Sequence, residues 1–379
     1  MSGEVKQNTS VATGVIATAP TATQSASNPV YNTNPEDAGA EWHNTTSGQI
    51  FICKNNTVND NVWLGQKGTN VARTRGLFMM GQYTASGDTR SIDVFTIDTP
   101  SNATDYGDMP ASPGALYACA GSDNGTLGRA VVFGGSDNTT YQDTISYTSI
   151  ESTGTGASFG TFNEGVYGPG ACSNGPNDRA VKAGGVKQPW ASVNSIQYIT
   201  VSTTGNATDL SDMTVANYGC SGTSSGTNER GLIATGSSRT SLDYFSINST
   251  SNAADFGDIT SAAYTGAFSN GTNERACFAG GSASGTGGNQ IDYVTISTLG
   301  NGTSFGTLSI LTDWTTATSS GSLGDRGLIN LGQDYTGGSY QSRVKTVEYV
   351  TISTTGNATD FGDCTDLRAA CAGASNGMS

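Results

Sequence analysis

Residues 351–363 read TISTTGNATDFGD, and residues 200–212 read TVSTTGNATDLSD. Two near-copies this far apart point to an internal repeat, and aligning the chain on itself outward from them finds the rest. An arginine followed by a small residue and an apolar stretch recurs six times, as RGLFMMG at 75, RAVVFGG at 129, RAVKAGG at 179, RGLIATG at 230, RACFAGG at 275 and RGLINLG at 326. Each is followed by an aromatic-bearing run such as IDYVTI at 291, then by a copy of the NATDFGD stretch, then by a run ending in a turn such as ACAGASNG. Four short apolar runs per unit, separated by Gly, Asn, Asp and Ser, are the signature of a four-stranded meander.

The composition agrees with an all-β chain. The 379 residues include 52 Gly, and charged residues make up 13%. Side chains alternate along a strand, so a run such as IDYVTI is apolar on both faces, and each sheet needs cover on both sides. With no helical periodicity to supply that cover, neighbouring sheets must, and a ring of sheets gives every one two neighbours. Small residues at the second position of the Arg run (Gly76, Ala130, Ala180, Gly231, Ala276, Gly327) are expected to allow close strand approach at a crowded axis.

The array opens at Arg75 without a preceding fourth run and ends on LRAACAGASNG at 367–377 with no first run after it. Residues 367–377 are therefore expected to pair with 75–81 and seal the ring, with Leu77, Phe78, Ala370 and Cys371 at the join. The expected fold class is all-β: a six-bladed β-propeller over 73–379, an extended or disordered arm over 1–35 and a small β attachment unit over 36–72. That small unit is anchored by Trp42, Phe51, Cys53 and Trp63.

The net charge of −14 disfavours nucleic acid, whose phosphates need basic partners. Positions 1–30 lack a basic region followed by an apolar core, and no stretch reaches the length of a membrane span. Seven Cys cannot all pair within one chain. Cys119, Cys172, Cys220 and Cys371 are expected at one repeat position as small buried hydrophobes in a reducing compartment.

Apolar residues running into Gly134-Gly135, Gly184-Gly185 and Gly280-Gly281, followed by strands bearing Tyr147, Tyr198, Tyr244, Tyr293 and Tyr349, resemble a divergent kelch repeat over about 75–377. The resemblance implies a β-propeller. The glycine pair is reduced at Gly81, Gly236 and Gly332, and the Trp of the last kelch strand is missing. The uncharged leader, the segment EWHNTTSGQIFIC at 41–53 and the GNATDFGD repeats together resemble structural proteins of tailed phages of marine bacteria, including cyanophages. This implies a virion protein, assembled in host cytoplasm, that attaches to other virion proteins through residues 1–72 and displays the propeller as a decoration or fibre-like component. A host-surface glycan is the expected contact, and a homo-oligomer is compatible with the reading.

The sequence is poor in catalytic groups. His43 is the single histidine and is expected in a turn, which leaves no His-based triad or multi-histidine metal centre in the repeats. No cofactor is expected. The acid pairs Asp105/Asp108, Asp209/Asp212, Asp255/Asp258 and Asp360/Asp363 could serve glycoside cleavage, but their recurrence favours a structural role. The six arginines Arg75, Arg129, Arg179, Arg230, Arg275 and Arg326 invite comparison with the clustered arginines of sialidases. Their repetition instead points to a contact between blades, with Asp178, Glu229, Glu274 and Asp325 as partners. Calcium on Asx-rich loops lacks the spacing of a known calcium loop. The alternative function is a carbohydrate-binding propeller, with or without glycoside hydrolase activity, and Trp190, Trp314 and Tyr335 are its candidate binding aromatics. A cytosolic scaffold is a third reading.

Overall fold

The computed structural model describes residues 22–65, 74–82, 89–282 and 286–377. Residues 1–21 of the expected arm lie outside them. The chain divides into two compact units, residues 1–73 and 74–379.

In the first unit Thr23–Ser25 pairs in parallel with Glu41–Asn44, which continues antiparallel to Ile50–Asn55 and Val62–Gly65. A strand thus occurs inside the segment expected as an arm. Phe51, Cys53 and Trp63 are buried together, with Trp42 set edge-on to Trp63 at 6.1 Å. His43 lies in a strand rather than a turn, 3.1 Å from Glu41.

The second unit is all-β and propeller-like, built of four-stranded antiparallel sheets. Sheet I joins Ala372–Ser375, Arg75–Met79, Ser91–Thr96 and Thr104–Asp108; sheet II joins Ala120–Asp123, Arg129–Phe133, Thr144–Ser149 and Ala157–Thr161. Sheet III joins Gly170–Ser173, Arg179–Ala183, Ser195–Thr200 and Thr208–Asp212; sheet IV joins Ser221–Ser224, Arg230–Ala234, Ser241–Ser246 and Ala254–Asp258. Sheet V joins Gly266–Ser269, Arg275–Ala279, Gly288–Thr295 and Thr303–Asp313; sheet VI joins Thr316–Ser319, Arg326–Asn330, Thr346–Thr351 and Thr359–Asp363. The four strands of a sheet, in this order, are called a to d. A hairpin of Gln333–Asp334 and Ser342–Arg343 extends sheet V beyond its strand d.

Strand a of sheet I comes from the far end of the chain, with Gly373 opposite Phe78 and Ala374 opposite Leu77. Ala370 and Cys371 precede this strand instead of pairing within it. Gln82 bridges to Ala369, and Ala370 accepts from the Ala118 N–H. The a strands are neighbours in turn, I to II and onward to VI, which again borders I. The apolar clusters follow the same order, each shared by two successive sheets; one joins Leu328 and Val347 of sheet VI to Phe78 and Phe95 of sheet I.

The repeated residues make the contacts between sheets. Each Arg donates to a carbonyl just past strand c of the next sheet: Arg75 to Ile150, Arg129 to Val201, Arg179 to Ile247, Arg230 to Ile296, Arg275 to Ile352 and Arg326 to Ile97. Five guanidinium groups also lie over the Tyr of their own strand c, from 4.1 Å for Arg179 on Tyr198 to 5.0 Å for Arg230 on Tyr244. The expected acidic partners do otherwise. Asp178 accepts from Asn124, Glu229 from Asn174 and Asn177, and Glu274 from Asn228, all in the preceding sheet. An Arg needs a carbonyl or carboxylate in line with its fork, and the carbonyl is the one within reach.

The quoted NATD stretch is a clamp. Asn206 accepts from Thr161 N–H while Ala207 donates to the Thr161 carbonyl, and Asn357 and Ala358 treat Thr307 the same way. Asn102 and Ala103 grip Asp363 likewise, tying sheet VI to sheet I. Five of the six FGD-type runs carry a glycine where the neighbouring turn comes close: a Cβ on Gly306 would lie 2.1 Å from the Gly356 carbonyl oxygen, while sheet III has Ser211 at this place.

Two sequence expectations are corrected. The crowded axis is lined by strand a, where a Cβ on Gly121 would meet the Gly373 carbonyl oxygen at 2.3 Å; the small residues of the Arg run face side chains, such as the Phe268 ring at Gly327. Cys172 lies inside strand a, three residues past the position shared by Cys119, Cys220 and Cys371. All seven thiols are free and buried.

Candidate functional site

An antiparallel four-stranded unit puts the turns that enter strand a and those that join b to c at one end. At that end six residues with left-handed backbone, Ala118, Gly168, Gly219, Tyr264, Trp314 and Ala370, lead into the six a strands. Their main chains link in a circle: Gly168 N–H donates to Ala118 O, Gly219 to Gly168, Tyr264 to Gly219, Thr315 to Tyr264, Ala370 to Trp314 and Ala118 to Ala370. Inside this collar lies a cavity of about 80 Å³ lined by small residues, including Gly121, Gly170, Gly222, Gly266 and Gly373.

Five of the six turns deliver a ring to the collar: Tyr117, Tyr167, Tyr218, Tyr264 and Trp314. Tyr167 lies 5.6 Å from Tyr117, 6.4 Å from Tyr218 and 5.5 Å from Trp314, which belongs to a turn three sheets away. Tyr264 and Trp314 are 4.3 Å apart. Two b–c turns add Tyr141 and Trp190, which touch each other at 6.0 Å and both approach Tyr167. The sixth turn carries Ala370 and supplies no ring.

Burial among rings pushes the Tyr167 and Tyr264 hydroxyls well above their ordinary pKa, so both remain neutral donors. Burial also raises Asp313 to about 7, against the opposing Trp314 N–H. At the rim Asp137 is lowered to about 2: slight burial opposes ionisation, but hydrogen bonds from Thr139 and Thr140 outweigh it. Lys187 is held by Glu164 at 3.2 Å.

Of the three aromatics read from sequence, Trp190 and Trp314 belong to this cluster, while Tyr335 stands 6.0 Å from Tyr340 on the hairpin that extends sheet V. The five tyrosines were missed. A signal existed, because Tyr117, Tyr167 and Tyr218 each stand three residues before strand a, and Tyr264 and Trp314 two before. The acid pairs lie elsewhere, on the d strands, where Asp105 caps Gly107 and Asp108 approaches Arg90. Among the described residues no group of three or more His, Cys, Asp or Glu is placed to hold a metal ion. No protein-family model matches the chain, and no curated protein matches it.

Proposed function

We propose that this chain is a non-enzymatic virion component of a tailed phage, in which residues 1–72 attach to other virion proteins and a six-bladed β-propeller, closed by its own terminal strands, is displayed toward the host surface. The observation that carries the reading is the cluster of Tyr and Trp gathered at one end of a repeat-built body. Such a body offers a preorganised contact surface and little else. The pairing of Gly373 with Phe78 and the clamp of Asn102 on Asp363 support closure. Division of the chain into two units supports separate attachment and display. Buried free thiols suit assembly in a reducing cytoplasm. Fold alone does not fix function, so the surface carries the weight.

The test is mass spectrometry of purified particles from the phage that encodes the chain. Peptides of this polypeptide at stoichiometric abundance are expected. Their absence from washed particles overturns the reading.

A further inference from the structure

We propose that the aromatic face docks a neutral stretch of a cell-surface polysaccharide, with a hexopyranose stacked on Trp190 and flanked by Tyr141 and Tyr218. This rests on the display reading above and names the ligand class of the same face.

Trp190 is the most exposed ring of the cluster. It is 59% exposed, although it is a large apolar side chain that packing would ordinarily bury. It stands at the tip of a short hairpin in which Val186 pairs with Ser192 and Lys187 with Ala191. Its φ is +110°, a value that glycine tolerates and a bulky residue adopts only at a cost of about 1–3 kcal/mol. Stability alone would favour Gly at that turn. A strained and exposed indole, held 5.5 Å from Tyr218 and 6.0 Å from Tyr141, is best accounted for by a ligand.

The geometry also selects the class. Contacting rings stand 4.3 to 6.4 Å apart, too close for an ammonium group or a peptide side chain to enter between the two members of a pair. What remains is a platform. A pyranose presents a flat face of C–H groups to such a surface and directs its hydroxyls sideways, where polar groups of the neighbouring turns stand. Gln188 is fixed there by its bond to the Thr139 carbonyl, and Thr139 and Thr140 are held by Asp137. An anionic polymer is disfavoured, since Asp137 stays ionised, Lys187 is neutralised by Glu164 and the chain carries −14 overall.

The full-length protein is titrated with maltohexaose, cellohexaose and mannohexaose, and with a heparin hexasaccharide, by calorimetry and tryptophan fluorescence. At least one neutral hexasaccharide should bind with a shift in emission, and the heparin fragment should not. Trp190→Ala should weaken that binding at least tenfold, about 1.4 kcal/mol, with Trp190→Tyr restoring part of it. The thermal midpoint of Trp190→Gly should be equal to or above that of the parent, which separates a binding role from a structural one. Failure of all three neutral sugars, stronger binding of heparin, or unchanged affinity in Trp190→Ala overturns the proposal. Sugar binding by a chain absent from virions would overturn the display reading alone.

Discussion

Replacing Asp93 by Ala should destabilise the protein more than the equivalent change in another sheet, because among the described carboxylates at this strand-c position Asp93 alone is ion-paired with a fully buried cation. The position that precedes Val94 in sheet I and the strand-c Tyr in sheets IV, V and VI is used repeatedly to cap an N–H of the preceding sheet, in the turn after strand d or, at Ser309, within strand d. Asp243 accepts from Thr214 N–H and Oγ1, Asp292 from Thr260 N–H, and Glu348 from Ser309 N–H. Asp93 does this for Thr365 and also lies 3.3 Å from Arg368, with both side chains fully buried. Arg368 donates further to the carbonyls of Phe78, Met80 and Ser91, which fastens the last turn of the repeat array to sheet I. Asp243→Ala removes hydrogen bonds to a buried carboxylate and should cost about 2 kcal/mol. Asp93→Ala also strands a buried guanidinium and should cost about 3–5 kcal/mol, a large share of a typical stability of about 5–15 kcal/mol. Urea unfolding of the full chain, followed by circular dichroism, measures both. The double variant Asp93→Ala/Arg368→Met should be more stable than Asp93→Ala, giving a coupling above about 1.5 kcal/mol. Equal losses for Asp93→Ala and Asp243→Ala, or additive single and double variants, would refute the assignment of Arg368 to a charge-dependent latch.

Two other expectations follow from the same interfaces. Asp123 occupies the place held by Ser173, Ser224, Ser269, Ser319 and Ser375 in the other a strands, and burial raises it to about 7 despite N–H donors from Ser375 and Gly125. The folded state therefore keeps a proton that the unfolded chain releases near pH 4, so this contribution is complete below about pH 4 and is lost as pH rises through 7. Asp123→Ser should flatten the decline in stability between pH 5 and 7 by up to about 1.4 kcal/mol per pH unit, and an unchanged slope in urea titrations would contradict it. Gly306→Val should cost about 3 kcal/mol by driving a side chain into the Gly356 carbonyl, whereas Ser211→Ala, at the matching position of sheet III with a buried unpartnered hydroxyl, should change the melting temperature little.

The repeat units are legible in the amino-acid sequence. The Arg run, the aromatic strand, the NATD turn and the final turn each recur because every sheet solves the same local problem, and periodic punctuation makes strands legible without knowing their neighbours. The sequence also pointed to the pairing of 75–81 with the far end of the chain, since an unpaired run at each end of the array is visible in one dimension. The partners of the repeated residues were decided only in three dimensions. Arg179 could have met an acid, but the carbonyl of Ile247 lies where its fork points, and Asn206 reads as a turn residue until strand d of the previous sheet is set beside it. Spacing records what a residue is next to along the chain, whereas these bonds depend on the offset between one sheet and the next. The same holds at the collar: Tyr117, Tyr167, Tyr218, Tyr264 and Trp314 are far apart in sequence, and its left-handed turns bring them into one surface.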